Sequence, residues 1–157
     1  MIDSVFGSGG LISQHHDAYE YREGQIKMAD AIATAFAEKK HLIVEAGTGT
    51  GKTLAYLTPA IAAALANKTR IIISTGTKNL QEQLMEKDIP FLQKILPKKF
   101  KAAYMKGRSN YACLYRIAKS DHQPILDGIG EIDHFKEVRD WVLETKTGDR
   151  AELTYLP

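Results

Sequence analysis

The sequence predicts an α/β fold in which a parallel sheet is flanked by helices. Two short runs, at 41–44 and 70–74, are apolar at successive positions, as expected for strands buried on both faces. Each run precedes a segment with the apolar periodicity of a helix. A glycine-rich turn ending in Gly-Lys-Thr joins the first run to its helix. This order of strand, turn and helix is typical of a phosphate-binding loop.

Length and composition restrict the class of protein. A chain of 157 residues suits one domain with a real core, and a formal net charge of +2 indicates no partner by itself. One cysteine excludes a disulfide framework within the chain. The sequence shows neither a signal peptide nor an apolar run of membrane length, so we expect a cytoplasmic protein without a membrane partner. Basic residues crowd the centre of the chain, which fits a polyanion partner or, equally, a solvated lysine-rich face. These residues are Lys94, Lys98, Lys99, Lys101, Lys106, Arg108, Arg116 and Lys119.

The chain ahead of the first strand is expected to provide one helix. Residues 1–18 carry several glycines and little periodicity, which predicts a flexible lead-in. A helix with one apolar face follows from about Glu23 to Lys39. At its start, the Gln25 amide offers a donor and an acceptor that match an adenine edge, and Arg22 is placed to stack on the base or to hold the loop. The alternative is that both are solvated helix-start residues.

The strongest chemical signal is the stretch Glu45-Ala46-Gly47-Thr48-Gly49-Thr50-Gly51-Lys52-Thr53. Its glycines let several amide N–H groups converge on one phosphate, and the following helix adds its free N-terminal donors. Lys52 is predicted to reach the β- and γ-phosphates and the Thr53 hydroxyl to bind Mg²⁺, which makes these two the predicted catalytic residues. Ala46 stands where the strict pattern has glycine. The alternative is a surface turn beside a chance Gly-Lys-Thr. The predicted nucleotide contacts are Arg22, Gln25, Ala46, Gly47, Thr48, Gly49, Thr50, Gly51, Lys52 and Thr53.

The second half of the chain carries two further polar segments. The helix after the loop is expected to end near Ala66, and the second strand leads into Thr75 and Thr77. These threonines are predicted to bind the phosphates of a nucleic-acid strand, although Thr77 equally suits a helix cap. A short helix over 91–96, a third strand over 100–105, a basic turn with Lys106 and Arg108, and a last helix over about 131–145 complete the predicted elements.

Four of these segments resemble, in order and spacing, the N-terminal part of the DinG/XPD family of iron–sulfur superfamily 2 DNA helicases, of the bacterial DinG or YoaA kind. The resemblance covers about residues 19–153, and its most specific motif is the basic turn just ahead of Cys113. The four segments are Arg22-x-x-Gln25, the glycine loop, Ser74-Thr75-Gly76-Thr77 with the helix after it, and Lys106-Gly107-Arg108-Ser109-Asn110-Tyr111.

The resemblance implies a RecA-like ATP-binding domain over 19–105 and the start of an inserted helical iron–sulfur domain over 106–157. It implies ATP and Mg²⁺ at the glycine loop, with Arg22 and Gln25 reading adenine. Thr75 and Thr77, together with the basic residues of the turn, would contact single-stranded or forked DNA. Cys113 would be the first of four thiolate ligands of a [4Fe–4S] cluster. The implied activity is that of an ATP-dependent 5′→3′ DNA helicase in DNA repair.

Two features of helicases of this family are not found in this sequence. It contains no acidic box to hold Mg²⁺ and no second motor lobe, so we expect nucleotide binding with negligible turnover. A partial sheet would leave an unpaired edge, and self-association is therefore expected as well. The main alternative is a nucleotide-binding interaction module without unwinding activity. A small P-loop kinase is a second alternative, but it requires an arginine-rich lid that the sequence does not show.

Overall fold

The computed structural model describes residues 2–16, 18–122 and 129–154. Across these residues the regular structure is helical, and the chain divides into two compact units, Met1–Tyr104 and Met105–Pro157. No helix in the described part is long and apolar enough to cross a membrane. The α-helices are α1 (Ile2–Phe6), α2 (Leu11–His15), α3 (Glu23–Glu38), α4 (Lys52–Asn67), α5 (Lys78–Gln83), α6 (Ile89–Ile95), α7 (Leu114–His122) and α8 (Ile129–Glu144).

The start of the chain differs from the expected flexible lead-in. It forms α1 and α2, and it contributes Ile2, Val5, Phe6 and Ile12 to the buried core of the first unit. The apolar residues of α1 recur at the spacing of one helical face, a pattern too short to stand out beside the glycines that follow. The Tyr19 hydroxyl donates to the Phe6 carbonyl at 2.5 Å, which ties these helices to the chain leading into α3.

Helices α3 and α4 make the main packing contact of the first unit. Ala29 of α3 and Ala55 of α4 are fully buried, and such small side chains let two helices approach closely. Leu57 of α4 is also buried. Each helix ends at a lysine in the left-handed conformation, Lys39 with φ of 53° and Lys68 with φ of 51°. The bounds predicted for both helices are confirmed to within one or two residues.

Helices α5 and α6 run on from each other without a break. A π-helical turn, Leu84–Asp88, joins them, so the two separate helices predicted here form one continuous helical segment. Pro90, separated from this turn by Ile89 alone, has no N–H to donate to the carbonyl four residues before it. A widened turn beside a proline accommodates that missing bond. Leu84, Leu92 and Ile95 are the buried residues on the inner face of this helical segment.

The predicted parallel sheet is not seen among the described residues. The three apolar segments predicted as strands, at 41–45, 70–74 and 100–105, have no ladder partner within the described ranges. Ile43 and Ile72 belong to segments predicted to form buried strands, but they are 97% and 92% exposed. A helix closes its hydrogen bonds within one segment, whereas a strand requires a neighbouring strand, so without such pairing these segments have no regular structure.

The second unit is organised by a contact between its two ends. An isolated antiparallel bridge links Tyr111 to Asp149, and the Ala112 N–H donates to the Gly148 carbonyl at 2.8 Å. Gly148 has φ of 69°, a left-handed conformation that suits glycine. Beside it, hydrogen bonds from Thr147 and Thr145 hold the pKa of the exposed Glu152 carboxyl below its usual value.

Candidate nucleotide site

The glycine loop connects the segment 41–46 to the start of α4. Gly49 and Gly51 have φ of 76° and 73°, so both occupy the left-handed region that other residues avoid. Gly51 is the N-cap residue of α4, and Lys52 is the first residue of that helix. The loop therefore leads directly into a helix N-terminus, where unpaired N–H donors and the positive end of the dipole face the loop. The helical part of the predicted phosphate-loop arrangement is present.

The Lys52 ammonium lies at the beginning of the loop. It donates to the carbonyl of Ala46 at 2.9 Å and to the carbonyl of Gly47 at 2.6 Å. In the described part of the chain no carboxylate lies within ion-pair distance of it. Carbonyl groups hold a cation through dipoles and leave its net charge uncompensated. The site therefore combines a positive side chain, a positive helix end and left-handed glycines, which is chemistry suited to an anion.

Two of the three loop threonines, Thr50 and Thr53, lie on either side of Lys52 in the sequence. The Thr50 hydroxyl donates to the Gly47 carbonyl at 3.0 Å, a bond that closes the turn upon itself. Thr53, the predicted Mg²⁺ ligand, is partly buried in the first turn of α4. Burial raises the pKa of Tyr56, and a hydrogen bond with the Thr53 side chain acts in the opposite direction. The Thr53 side chain thus lies near that of Tyr56, three residues along the helix.

The two residues predicted to bind adenine, Gln25 and Arg22, make contacts in different places. Gln25, on the first turn of α3, is buried and donates its side-chain N–H to the Gly51 carbonyl at 2.9 Å. Arg22 instead forms an exposed ion pair with Glu20 at 2.9 Å. The structure therefore brings Gln25 to the loop, and the role of both residues in binding adenine stays a prediction. Sequence reasoning missed the bond to Gly51, because nothing in the pattern shows which carbonyl a glutamine 26 residues away will meet.

Thr75 and Thr77 lie at the start of α5, and the predicted capping role of Thr77 is confirmed. The Thr77 hydroxyl oxygen accepts from the Leu80 N–H at 3.3 Å, as an N-cap residue does. The Thr75 hydroxyl donates to the Thr77 carbonyl at 3.3 Å. Both side chains are thus engaged with the local backbone, and their contact with a nucleic-acid strand stays a prediction.

The predicted contacts in the second unit have different surroundings. Lys106 is buried, and its ammonium lies 2.7 Å from the Asp149 carboxylate. Its side chain is only 4% exposed, whereas a phosphate contact requires an accessible cation. Arg108 is exposed in the 3₁₀ turn Arg108–Asn110. The tyrosine of the same motif, Tyr111, accepts a hydrogen bond from the Lys106 N–H at 2.9 Å, so the motif also has a structural function.

Cys113 is a free, exposed thiol just ahead of α7, and its carbonyl accepts from the Ile117 N–H at 3.0 Å. The described residues contain no group of three or more His, Cys, Asp or Glu side chains that could hold a metal. A [4Fe–4S] cluster requires about four thiolates, and this sequence has one cysteine. The residues of this chain alone therefore do not fit the cluster that the family resemblance implies.

The chain is similar in sequence to several known proteins over most of its length. Among curated relatives, the chain is 43% identical over 155 residues to the ATP-dependent DNA helicase YoaA of Haemophilus influenzae, covering 99% of this chain and 24% of that protein. It is 39% identical over 147 residues to the 3′-5′ exonuclease DinG of Bacillus subtilis, covering 94% of this chain and 16% of the relative. It is 41% identical over 149 residues to the ATP-dependent helicase DinG of Mycobacterium tuberculosis, covering 84% of this chain and 22% of the relative.

The chain thus spans about a quarter or less of the length of these relatives. They confirm the resemblance to DinG- and YoaA-type proteins that the sequence motifs indicate. A match to the DEAD/DEAH box helicase family extends over residues 23–140, from the first turn of α3 into α8, and includes the whole glycine loop. With most of its length inside that match, the chain belongs to the DEAD/DEAH box helicase family.

Proposed function

We propose that this chain binds ATP with Mg²⁺ at the glycine loop 46–53, as part of an ATP-dependent DNA helicase of the DinG or YoaA kind. The observation that carries the proposal is the Lys52 ammonium, which two backbone carbonyls hold at the loop and no described carboxylate neutralises. A phosphate oxygen offers this cation a charge-assisted bond that is stronger than a bond to a neutral carbonyl. The triphosphate therefore displaces the carbonyls from Lys52.

The remaining contacts follow from the start of α4. The N–H groups of its first turn have no partner within the helix, and they supply donors to the phosphates next to Lys52. The Thr53 hydroxyl would supply an oxygen ligand to Mg²⁺. The ion, when bound, neutralises phosphate charge. The family match supports these assignments because it includes the whole loop.

Contact with DNA is a separate part of the proposal. The relative from Haemophilus influenzae is named a DNA helicase and that from Mycobacterium tuberculosis a helicase, which supports DNA as a partner. We propose that this DNA is single-stranded or forked. Arg108, exposed on the 3₁₀ turn, and the threonines at the start of α5 are the proposed contacts. Lys106 faces Asp149 in this conformation, so Arg108 is the better placed of the two basic residues of the turn. Cys113 could ligate a cluster only with thiolates from outside these 157 residues.

We also propose that the segments 41–45 and 70–74 are strands of the RecA-like sheet that family membership implies. Their exposed isoleucines, Ile43 and Ile72, support this proposal, because apolar residues of this kind are normally covered. The chain holds no acidic box, and we expect it to bind ATP without appreciable hydrolysis. Robust release of phosphate from the pure chain on addition of DNA would contradict that expectation.

The test is a titration of a fluorescent ATP analogue, with Mg²⁺, into the wild-type chain and Lys52→Ala. Removing a charge-assisted contact to phosphate is expected to weaken binding by roughly 10- to 100-fold. Lys27→Ala is the control, because Lys27 forms an exposed ion pair with Glu23 on α3 and should leave the affinity unchanged. Equal affinities for wild type and Lys52→Ala would remove the proposed phosphate site.

A further inference from the structure

Gln25 is a buried polar side chain whose amide is directed at the glycine loop. The residue is only 8% exposed, and a buried amide requires a hydrogen-bond partner. Its partner is the Gly51 carbonyl, 2.9 Å from Nε2. A carbonyl oxygen can only accept, so the NH₂ end of the Gln25 amide must face it. Gln25 therefore holds one particular peptide group of the loop.

The Gly51 carbonyl receives two donors. The Ala55 N–H donates to it at 3.2 Å, which is the first hydrogen bond of α4, and Gln25 uses the remaining acceptor capacity. The peptide between Gly51 and Lys52 is thus held both by the backbone of α4 and by the side chain of Gln25. Gly51, with φ of 73°, is the residue at which the loop becomes the helix.

A planar trans peptide carries its carbonyl and its N–H on opposite sides, and the described chain has no cis peptide bond. Fixing the Gly51 carbonyl towards Gln25 therefore directs the Lys52 N–H away from it. Lys52 is the first residue of α4, so this N–H has no acceptor within the helix. One free donor at the phosphate loop thus belongs to a peptide that a side chain of α3 helps to hold.

We infer that Gln25 is a positioning residue for the Lys52 backbone N–H, which it aims at the phosphates of the bound nucleotide. This inference rests on the proposed function, since it needs a phosphate at the loop. It differs from the role predicted from the sequence, in which the Gln25 amide reads the adenine edge. An amide bonded to Gly51 acts on every ligand that carries the phosphate chain, whatever its base.

Gly51 itself is part of this arrangement. A Cβ at position 51 would overlap with the Gln25 amide nitrogen, so only glycine admits the side chain this close. Helices α3 and α4 pack against each other over much of their length, which keeps the two partners in register although 26 residues separate them. The contact is therefore built into the main packing interface of the first unit.

The experiment compares three ligands in the presence of Mg²⁺: ATP, GTP and inorganic tripolyphosphate. Affinities are measured by calorimetry for the wild-type chain and for Gln25→Met, which keeps the length of the side chain and removes its donor. Loss of one hydrogen bond that orients a phosphate donor is expected to weaken all three ligands by the same factor, about 3- to 10-fold. Gln93→Met is the matched control, because Gln93 also donates to a backbone carbonyl, that of Phe100 at 3.2 Å, away from the loop.

The possible outcomes separate the two roles of Gln25. Weakening of ATP alone, with GTP and tripolyphosphate unchanged, would overturn the positioning role and leave the proposed function intact. An unchanged affinity for every ligand would also overturn it. If the wild-type chain binds none of the three ligands, the proposed function fails and the inference fails with it. Far-UV circular dichroism confirms that each variant is folded.

A second measurement needs no variant. The side-chain amide protons of Gln25 in the wild-type chain are followed by NMR during titration with tripolyphosphate and with ATP. A positioning residue is expected to respond in the same direction to both ligands, because the phosphate chain is common to them. A response to ATP that tripolyphosphate does not produce would show that the amide senses the base, and it would contradict the inference even if Gln25→Met does not fold.

Discussion

The two compact units each hold a lysine that the sequence assigns to phosphate contacts, and their surroundings differ. In the first unit, backbone carbonyls hold the Lys52 ammonium, and its charge is uncompensated among the described residues. In the second unit, Lys106 is buried against the Asp149 carboxylate at 2.7 Å. A basic residue in a motif is therefore available to an anion only where the fold leaves its charge without a carboxylate. The comparison favours the first unit as the phosphate site.

The largest effect is expected at the buried ion pair. Lys106→Met leaves the Asp149 charge without its ion-pair partner in a site where Asp149 is almost fully buried, which costs about 3 to 5 kcal/mol of the free energy of unfolding. Urea unfolding of the wild-type and variant chains measures this loss of free energy. Lys52→Met should change stability by less than about 0.5 kcal/mol, since among the described residues its ammonium bonds neutral carbonyls and no carboxylate. Equal losses for the two variants would erase the distinction between the two lysines.

A smaller effect is expected at the loop. Gly51→Ala forces a residue with a Cβ into a φ of 73° and displaces the Gln25 amide, so the variant should lose about 1 to 2 kcal/mol of stability. Thermal unfolding of the two proteins gives the difference. Gly24→Ala on α3 is the matched control, because a Cβ there meets no atom and alanine favours a helix. A Gly51→Ala protein as stable as the control would mean that the loop does not hold this conformation.

The smallest effect is expected at Asp88, a buried carboxylate of the first unit with no cation at ion-pair distance among the described residues. Burial raises the pKa of Asp88, against the hydrogen bond from Gln83, which lowers it. A raised pKa in the folded state means that stability is fully present below the ordinary pKa, near 4, and is lost as the pH rises through the folded-state pKa. Asp88→Asn should therefore melt a few degrees above wild type at pH 7.

The same argument predicts how the Asp88 difference depends on pH. The advantage of Asp88→Asn should shrink and disappear as the pH falls below the ordinary pKa of an aspartate, because the wild-type carboxyl is then neutral in both states. Melting curves of the two proteins between pH 3 and pH 7 provide the test. A constant difference across that range would show that Asp88 acts through its shape and not through its charge.

Local patterns predicted the helices well, whereas the predicted pairing of strands is not seen among the described residues. The bounds of α3 and α4, the cap at Thr77 and the helix behind the glycine loop all agree with expectation, because apolar periodicity and capping act within a few residues. The helices at the start of the chain were missed because each has only five residues. The sheet was predicted from apolar runs, but an apolar run does not specify the neighbour that a strand requires.

The sequence by itself determined the family and predicted the class of site, because the glycines, Lys52 and Thr53 are adjacent in the chain and their chemistry depends on that order. Only the tertiary structure decided which side chains reach that site and which charges remain free. Gln25 meets Gly51 through the packing of α3 on α4, and Lys106 meets Asp149 from the other end of the second unit. Such contacts depend on how separate segments pack, and no local pattern of residues encodes them.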